Sequence, residues 1–150
     1  MTFKLSQRSL DKMEGVNPIL VAVVNRAIQI TKIDFGVTEG VRTPQRQREL
    51  VDAGKSQTMT SKHLSGSAVD LVAYIGSDVA WELNLYDDIA DAMKQAAIET
   101  GVSIRWGAAW NVDDICSWPG TMAEAMNHYI DERRAQKRRP FLDGPHFELV

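Results

Sequence analysis

Ser61-Lys62-His63-Leu64-Ser65-Gly66-Ser67-Ala68-Val69-Asp70-Leu71-Val72-Ala73-Tyr74-Ile75 is the stretch that decides the fold. Its later part predicts a strand over 67–75. Period-two alternation puts Val69, Leu71, Ala73 and Ile75 on one face and Ala68, Asp70 and Val72 on the other. A carboxylate among apolar neighbours is costly to bury unless a metal or a hydrogen-bond cluster satisfies it. Gly66 and Ser67 allow a tight turn between His63 and that strand. The chain holds only three histidines, His63, His128 and His146. The last belongs to Asp143-Gly144-Pro145-His146-Phe147-Glu148, where a second alternating strand, 146–150, begins.

Zinc accepts imidazole nitrogen and carboxylate oxygen, and its catalytic sites use three protein ligands with a fourth position open. His63, Asp70 and His146 would supply such a set if the fold joins them, and no helix-borne HExxH pattern competes with it. Taken singly, His63 or His146 is more often a hydrogen-bonded structural residue than a ligand. Asp143, three residues before His146, would serve as proton acceptor on an approach stiffened by Pro145. The chemistry implied is metal-assisted hydrolysis.

Around these segments the pattern is mixed. Helix is expected over 6–31, restarting at Pro18, with Ile19, Leu20, Val23, Val24, Ala27 and Ile28 as its apolar positions. A strand follows near 33–41, then a short helix opened by Thr43-Pro44 and closed by Gly54. Ser77 or Asp78 would cap a long helix carrying Trp81, Leu85, Ile89 and Met93 and stopped by Gly101. A short strand at 102–106 and a helix over 120–135 complete the set. The expected fold is α+β, a small, mainly antiparallel sheet with helices packed around it.

With 150 residues, 44% hydrophobic and 25% charged, the chain fits one domain, 1–150, and intrinsic disorder is excluded. A net charge of −3 argues against nucleic acid as a partner. No apolar run reaches the ~18 residues of a membrane span, so no stable membrane insertion is expected. The polar opening MTFKLSQRSLDKMEG has no secretion-signal core, and the lone Cys116 fits a reducing compartment, so synthesis in a cytoplasm is expected.

Ser-x-His-x-x-Gly-x-Ala-x-Asp at 61–70 with Asp-x-Pro-His-Phe at 143–147 resembles the zinc peptidases that cut bacterial peptidoglycan stem peptides. That group joins D-Ala-D-Ala carboxypeptidases and dipeptidases with phage L-alanyl-D-glutamate endopeptidases. Glu39-Gly40-Val41-Arg42-Thr43 ahead of the first motif, and the short chain, bring the phage endolysin branch nearest. The resemblance implies a DD-peptidase/Hedgehog-like domain with its zinc site at the sheet edge. It implies one zinc ion on His63, Asp70 and His146, Asp143 as catalytic carboxylate, and Arg42 as the arginine beside the substrate. It also implies hydrolysis of the L-Ala–D-Glu bond, host-cell lysis, and a monomer that reaches the wall after release through the inner membrane. One departure is visible: Trp106-Gly107-Ala108-Ala109-Trp110 stands where family members often carry Trp-Gly-Gly-Asp-Trp.

Other residues keep two readings. Arg42 binds a substrate carboxylate or oxyanion, or pairs with Glu39. Ser61 orients ligand or substrate, or caps a turn. Trp106 and Trp110 line the groove, or pack as core. The basic run Arg133, Arg134, Lys137, Arg138 and Arg139 draws the protein to an anionic envelope, or is a solvated helix end.

Overall fold

The structure, a computed structural model, describes residues 2–150. Asn17 accepts a hydrogen bond from the Ile19 amide and Pro18 sits at the first position of helix α2 (Pro18–Ile30), so the 6–31 segment divides as expected. Its earlier part is α1 (Gln7–Lys12), capped by Ser6. Thr43 caps α3 (Pro44–Asp52) through the Arg46 amide, again with proline at the helix start.

The strands β1 (Asp34–Glu39), β2 (Ala68–Ile75), β3 (Asp78–Ala80), β4 (Ile104–Trp106) and β5 (His146–Leu149) form one sheet in the order β1-β2-β5-β4, antiparallel throughout. One edge of β2 carries β1. The other edge is shared: β5 pairs with Ala68–Asp70 and β3 with Ala73–Ile75. Two helices, α4 (Leu83–Thr100) and α5 (Met122–Ala135), complete the architecture, with α4 packed on α2.

The register puts Phe35 and Val37, Ala73, Leu71 and Val69, Phe147 and Leu149, and Ile104 and Trp106 on one face of the sheet. All are buried, against Leu20, Val23, Val24 and Ala27 of α2 and Ile89, Met93 and Ala96 of α4. A fully buried side chain of this size contributes ~1.5–3 kcal/mol relative to exposure, so the scaffold rests on this layer. The opposite face carries Asp70 opposite His146, and Ala68 opposite Glu148, which in turn faces Arg105. An irregularity in β1 between Val37 and Glu39 sets Glu39 opposite Asp70.

One expectation fails. Residues 78–80 are strand, not helix, and α4 begins only at Leu83, after Glu82, which makes no side-chain cap. Gly76, at φ 63°, closes a two-residue hairpin with Ser77, and the free edge of β2 offers partners that a helix start would forgo. Trp81 therefore lies outside the helix, 64% exposed and stacked on Tyr86 at 6.1 Å. Gly101 ends α4 at φ 71° as expected. His128 receives a hydrogen bond from Asn111, which also bonds Glu132, so its surroundings are a surface hydrogen-bond cluster. Burial and the Asp114 charge push the Cys116 thiol up to about 11, consistent with an inert packing residue.

Candidate active site

His63 sits in a 3-10 turn, Lys62–Ser65, whose first amide bonds are taken up by Ser61: its hydroxyl accepts from the His63 amide at 3.2 Å. Ser61 is thus a turn cap that also borders the cleft. Gly66, at φ 74°, ends the turn, and a Cβ there would lie 2.7 Å from the Gly15 carbonyl oxygen, so the chain enters β2 through a position suited to glycine. His63 is 1% exposed. Its Nδ1 lies 2.8 Å from the Gly40 carbonyl oxygen, which can only accept, so Nδ1 carries the proton and Nε2 presents a lone pair.

His146 repeats the arrangement with its ring nitrogens exchanged. Its Nε2 donates to Glu148 Oε1 at 2.8 Å, leaving Nδ1 as the inward atom. His63 Nε2, His146 Nδ1 and Asp70 Oδ1 stand 3.1, 3.2 and 3.4 Å from one another. With both outward protons placed, three acceptors face each other, an arrangement that requires a cation or a shared proton between them. A tetrahedron with ligand bonds of ~2.0–2.1 Å has edges of about 3.3–3.4 Å, close to this triangle. The set fits zinc in donor type and in spacing, and it is the one His/Cys/Asp/Glu group of this kind among the described residues. Asp70 and His146 lie on the two central strands, at the sheet end where β5 begins, and His63 joins them from the turn ahead of β2.

The electrostatics agree. Burial opposes the charge on Asp70, but contact with the His146 and His63 imidazoles outweighs it and holds the carboxyl well below its usual range. Burial likewise lowers His146, and the bonds to Asp70 and Glu148 overcome it, raising the imidazole to about 9. Glu148 is held below its ordinary value, because the His146 bond prevails over burial.

Asp143 stays outside the triangle. Its amide donates to the Gly107 carbonyl at 2.9 Å, and its own carbonyl accepts from the His146 amide at 3.0 Å. A Cβ on Gly107 would run into that Asp143 carbonyl and lie 2.9 Å from His146 Cβ. Burial, then the nearby Asp70 charge, pushes the Asp143 carboxyl up to about 6.

The remaining residues divide as follows. Trp106 is fully buried, and its indole N–H donates to the Gly144 carbonyl at 2.8 Å. It clamps the loop that carries Asp143 and has no face toward substrate; its bulk belongs to the core, which corrects the expectation of a substrate contact. Trp110 takes that place, on the cleft wall with its ring 5.4 Å from the His146 ring. Arg42 borders the cleft but is largely committed: Nε and Nη2 bond Glu39 at 2.7 and 2.9 Å, Nη1 bonds Gln47 at 2.7 Å, and Nη2 reaches Asp70 Oδ2 at 3.4 Å. The pairing with Glu39 is realised in this structure, and Nη2 of the same guanidinium also meets Asp70. The cleft encloses about 600 Å³ and receives Arg133 and Tyr129 from α5, so one member of the basic run faces the site.

Sequence reading missed Glu148, Gly40 and Gln47. Only Glu148 carried a signal, since alternation in His146-Phe147-Glu148 places acid and imidazole on one face. Glu148→Gln should weaken metal binding about 10–100-fold while leaving the fold intact, the usual effect of removing such a partner. Zinc titration with a competing chelator checks this, and wild-type affinity would count against it.

A buried imidazole–carboxylate triangle with a carboxylic acid beside it, on an antiparallel sheet, is the arrangement of a hydrolytic centre, and the relatives agree that this is a peptidase. The chain belongs to the phage L-alanyl-D-glutamate peptidase family, whose model matches residues 1–150. It is 31% identical over 154 residues to the L-alanyl-D-glutamate peptidase of Escherichia phage T5, covering 100% of both chains. It is 34% identical over 79 residues to the enzyme of that name from Listeria phage A118, spanning 53% of this chain and 27% of that one. The fold matches an L-Ala D-Glu endopeptidase of Serratia marcescens, ChiX, with a TM-score of 0.73 and 36% identity over 98% of this chain and 90% of that one.

Proposed function

We propose that this peptidase hydrolyses the L-Ala–D-Glu amide of peptidoglycan stem peptides, using one zinc ion held by His63, Asp70 and His146. The observation that carries the reading is the meeting of three acceptor atoms within 3.4 Å beside a separate half-buried acid, Asp143. Zinc bound there would supply Lewis acidity toward the scissile carbonyl and a water beside it. Asp143 takes the attacking water's proton and delivers one to the leaving amine. Arg42 fixes the Asp70 carboxylate, while Gly40 and Glu148 fix the two imidazole tautomers. Trp110 walls the cleft, so that the peptide lies along a surface the sheet has already built.

Lysis of the host cell at the end of a phage cycle would follow from cutting the stem peptides. No described helix is long and apolar enough to cross a membrane, so access to the wall would depend on release through the inner membrane. Mass spectrometry of muropeptides digested by the purified protein tests the bond. New N-terminal D-Glu on stem peptides, with glycan chains intact, is the expected product. Release of D-alanine alone would establish a D-Ala-D-Ala carboxypeptidase instead.

A further inference from the structure

A D-glutamyl residue whose amine lies in the scissile amide has two carboxyl groups, and only one can carry the peptide onward. A free carboxylate therefore accompanies the bond into the cleft, a few bonds from the reacting nitrogen. The guanidinium expected to meet it, Arg42, has donors committed to Glu39, Gln47 and Asp70. Among the cleft's other cations, the Lys62 ammonium bonds the Leu149 carbonyl and lies 3.7 Å from Glu148. Arg133 donates through Nε and Nη2 to the Arg139 carbonyl. Lys55 is exposed on the rim, where water competes for it.

Arg105 differs from all of these. It lies on β4 directly opposite Glu148, on the face that bears Asp70 and His146, so it is a diagonal neighbour of His146 across the β4–β5 pair. Its guanidinium lies 5.3 Å from the centroid of Trp110, whose ring is 5.4 Å from the ring of His146. One Nη2 hydrogen bonds the Trp110 carbonyl, while the Nε–H is buried with no partner among the described residues. Among the described residues no carboxylate lies within ion-pair distance, 4.0 Å: Glu148, whose charge Arg105 helps to hold, spends Oε1 on His146 and turns Oε2 toward Lys62. A half-buried guanidinium with unused donors is costly to leave unpaired, and a carboxylate is the planar acceptor its fork matches.

We propose that Arg105, propped against Trp110, binds the free carboxylate of the D-glutamyl residue and selects the acid over the amide at that position. The assignment rests on the reading of the bond given above. Lys62 and Arg105 flank Glu148, so the local charge favours an incoming anion.

The test uses two synthetic stem peptides that differ only in that group, carboxylate in one and carboxamide in the other. The zinc-loaded protein should prefer the acid about 10–100-fold in kcat/KM, the worth of one charge-assisted hydrogen bond. Arg105→Gln should bring the ratio near one by losing rate on the acid, and Arg105→Lys should keep part of the preference. Because the ratio is taken within one variant, a smaller folded fraction cancels. An Arg105→Gln protein with the wild-type ratio overturns the proposal. So does a ratio lost in Arg133→Gln or Lys55→Gln and kept in Arg105→Gln. Equal cleavage of both peptides by the wild type overturns it too. Cleavage at another bond overturns the reading of the bond, and this assignment with it.

Discussion

Asp143→Asn should retain its fold and its zinc and lose about 10²–10⁴-fold in turnover, the usual worth of general acid–base catalysis. The backbone bonds that hold this loop, from the Asp143 amide to Gly107 and from the His146 amide to the Asp143 carbonyl, do not involve the side chain. An amide of the same shape therefore keeps the geometry and cannot take a proton. Zinc content by atomic emission and turnover on a stem peptide give the two readouts. A variant without zinc would make Asp143 a ligand, and a variant with near-normal turnover would end its role as base. The pH profile carries a sign as well. Burial and Asp70 raise this carboxyl to about 6, and the base is the ionised form, so rate falls on the acid side of that value. A cation in the neighbouring triangle favours ionisation, so the acid limb should lie at or below pH 6.

His63→Ala should lose metal affinity and activity together, and a chelator should abolish cleavage by the wild type until zinc is restored. Protons compete for the same atoms. With His146 raised to about 9 and Asp70 held low, the chelated triangle carries a proton at neutral pH, so zinc binding should release one. Calorimetry in buffers of different ionisation enthalpy measures that release. The same shifts set the stability of the chelated protein. The His146 contribution is full below its unfolded pKa of ~6.5 and lost as pH rises through about 9, and the Asp70 contribution is full above ~3.9 and lost as pH falls through its depressed value. Thermal melting in chelator should therefore weaken between pH 7 and 10. A Tm that climbs over that range would contradict the His146–Asp70 pairing.

Much of this was legible from residues alone, and the exceptions have physical causes. Thr43-Pro44, Pro18 and Gly101 mark helix ends by local rules of capping and backbone freedom, and the structure obeys them. The face of β2 that holds Asp70 follows from alternation. The stretch 77–82 misled because Ser77 and Asp78 satisfy the same capping rule, whereas the hairpin depends on a free edge of β2 that only the assembled sheet reveals. Arg42 and Trp106 kept two readings for a related reason. The i,i+3 spacing offers Glu39 as a partner for Arg42, but nothing local decides between that pairing and a substrate, or which of two tryptophans turns inward. The triangle was foreseen through its motifs, whereas the Gly40 carbonyl that fixes His63 is set only by tertiary packing.

The position of β5 also has a consequence in time. Its four residues, His146–Leu149, lie between β2 and β4, and among the described residues β4 has no other neighbour in the sheet. A ribosome delivers this strand after every other one, so the growing chain has an open seam where Asp70 waits for His146. Closing a loop of that length comes late and slows folding. The protein is thus built with a delay: while it is still being made, neither its sheet nor the triangle of His63, Asp70 and His146 is whole.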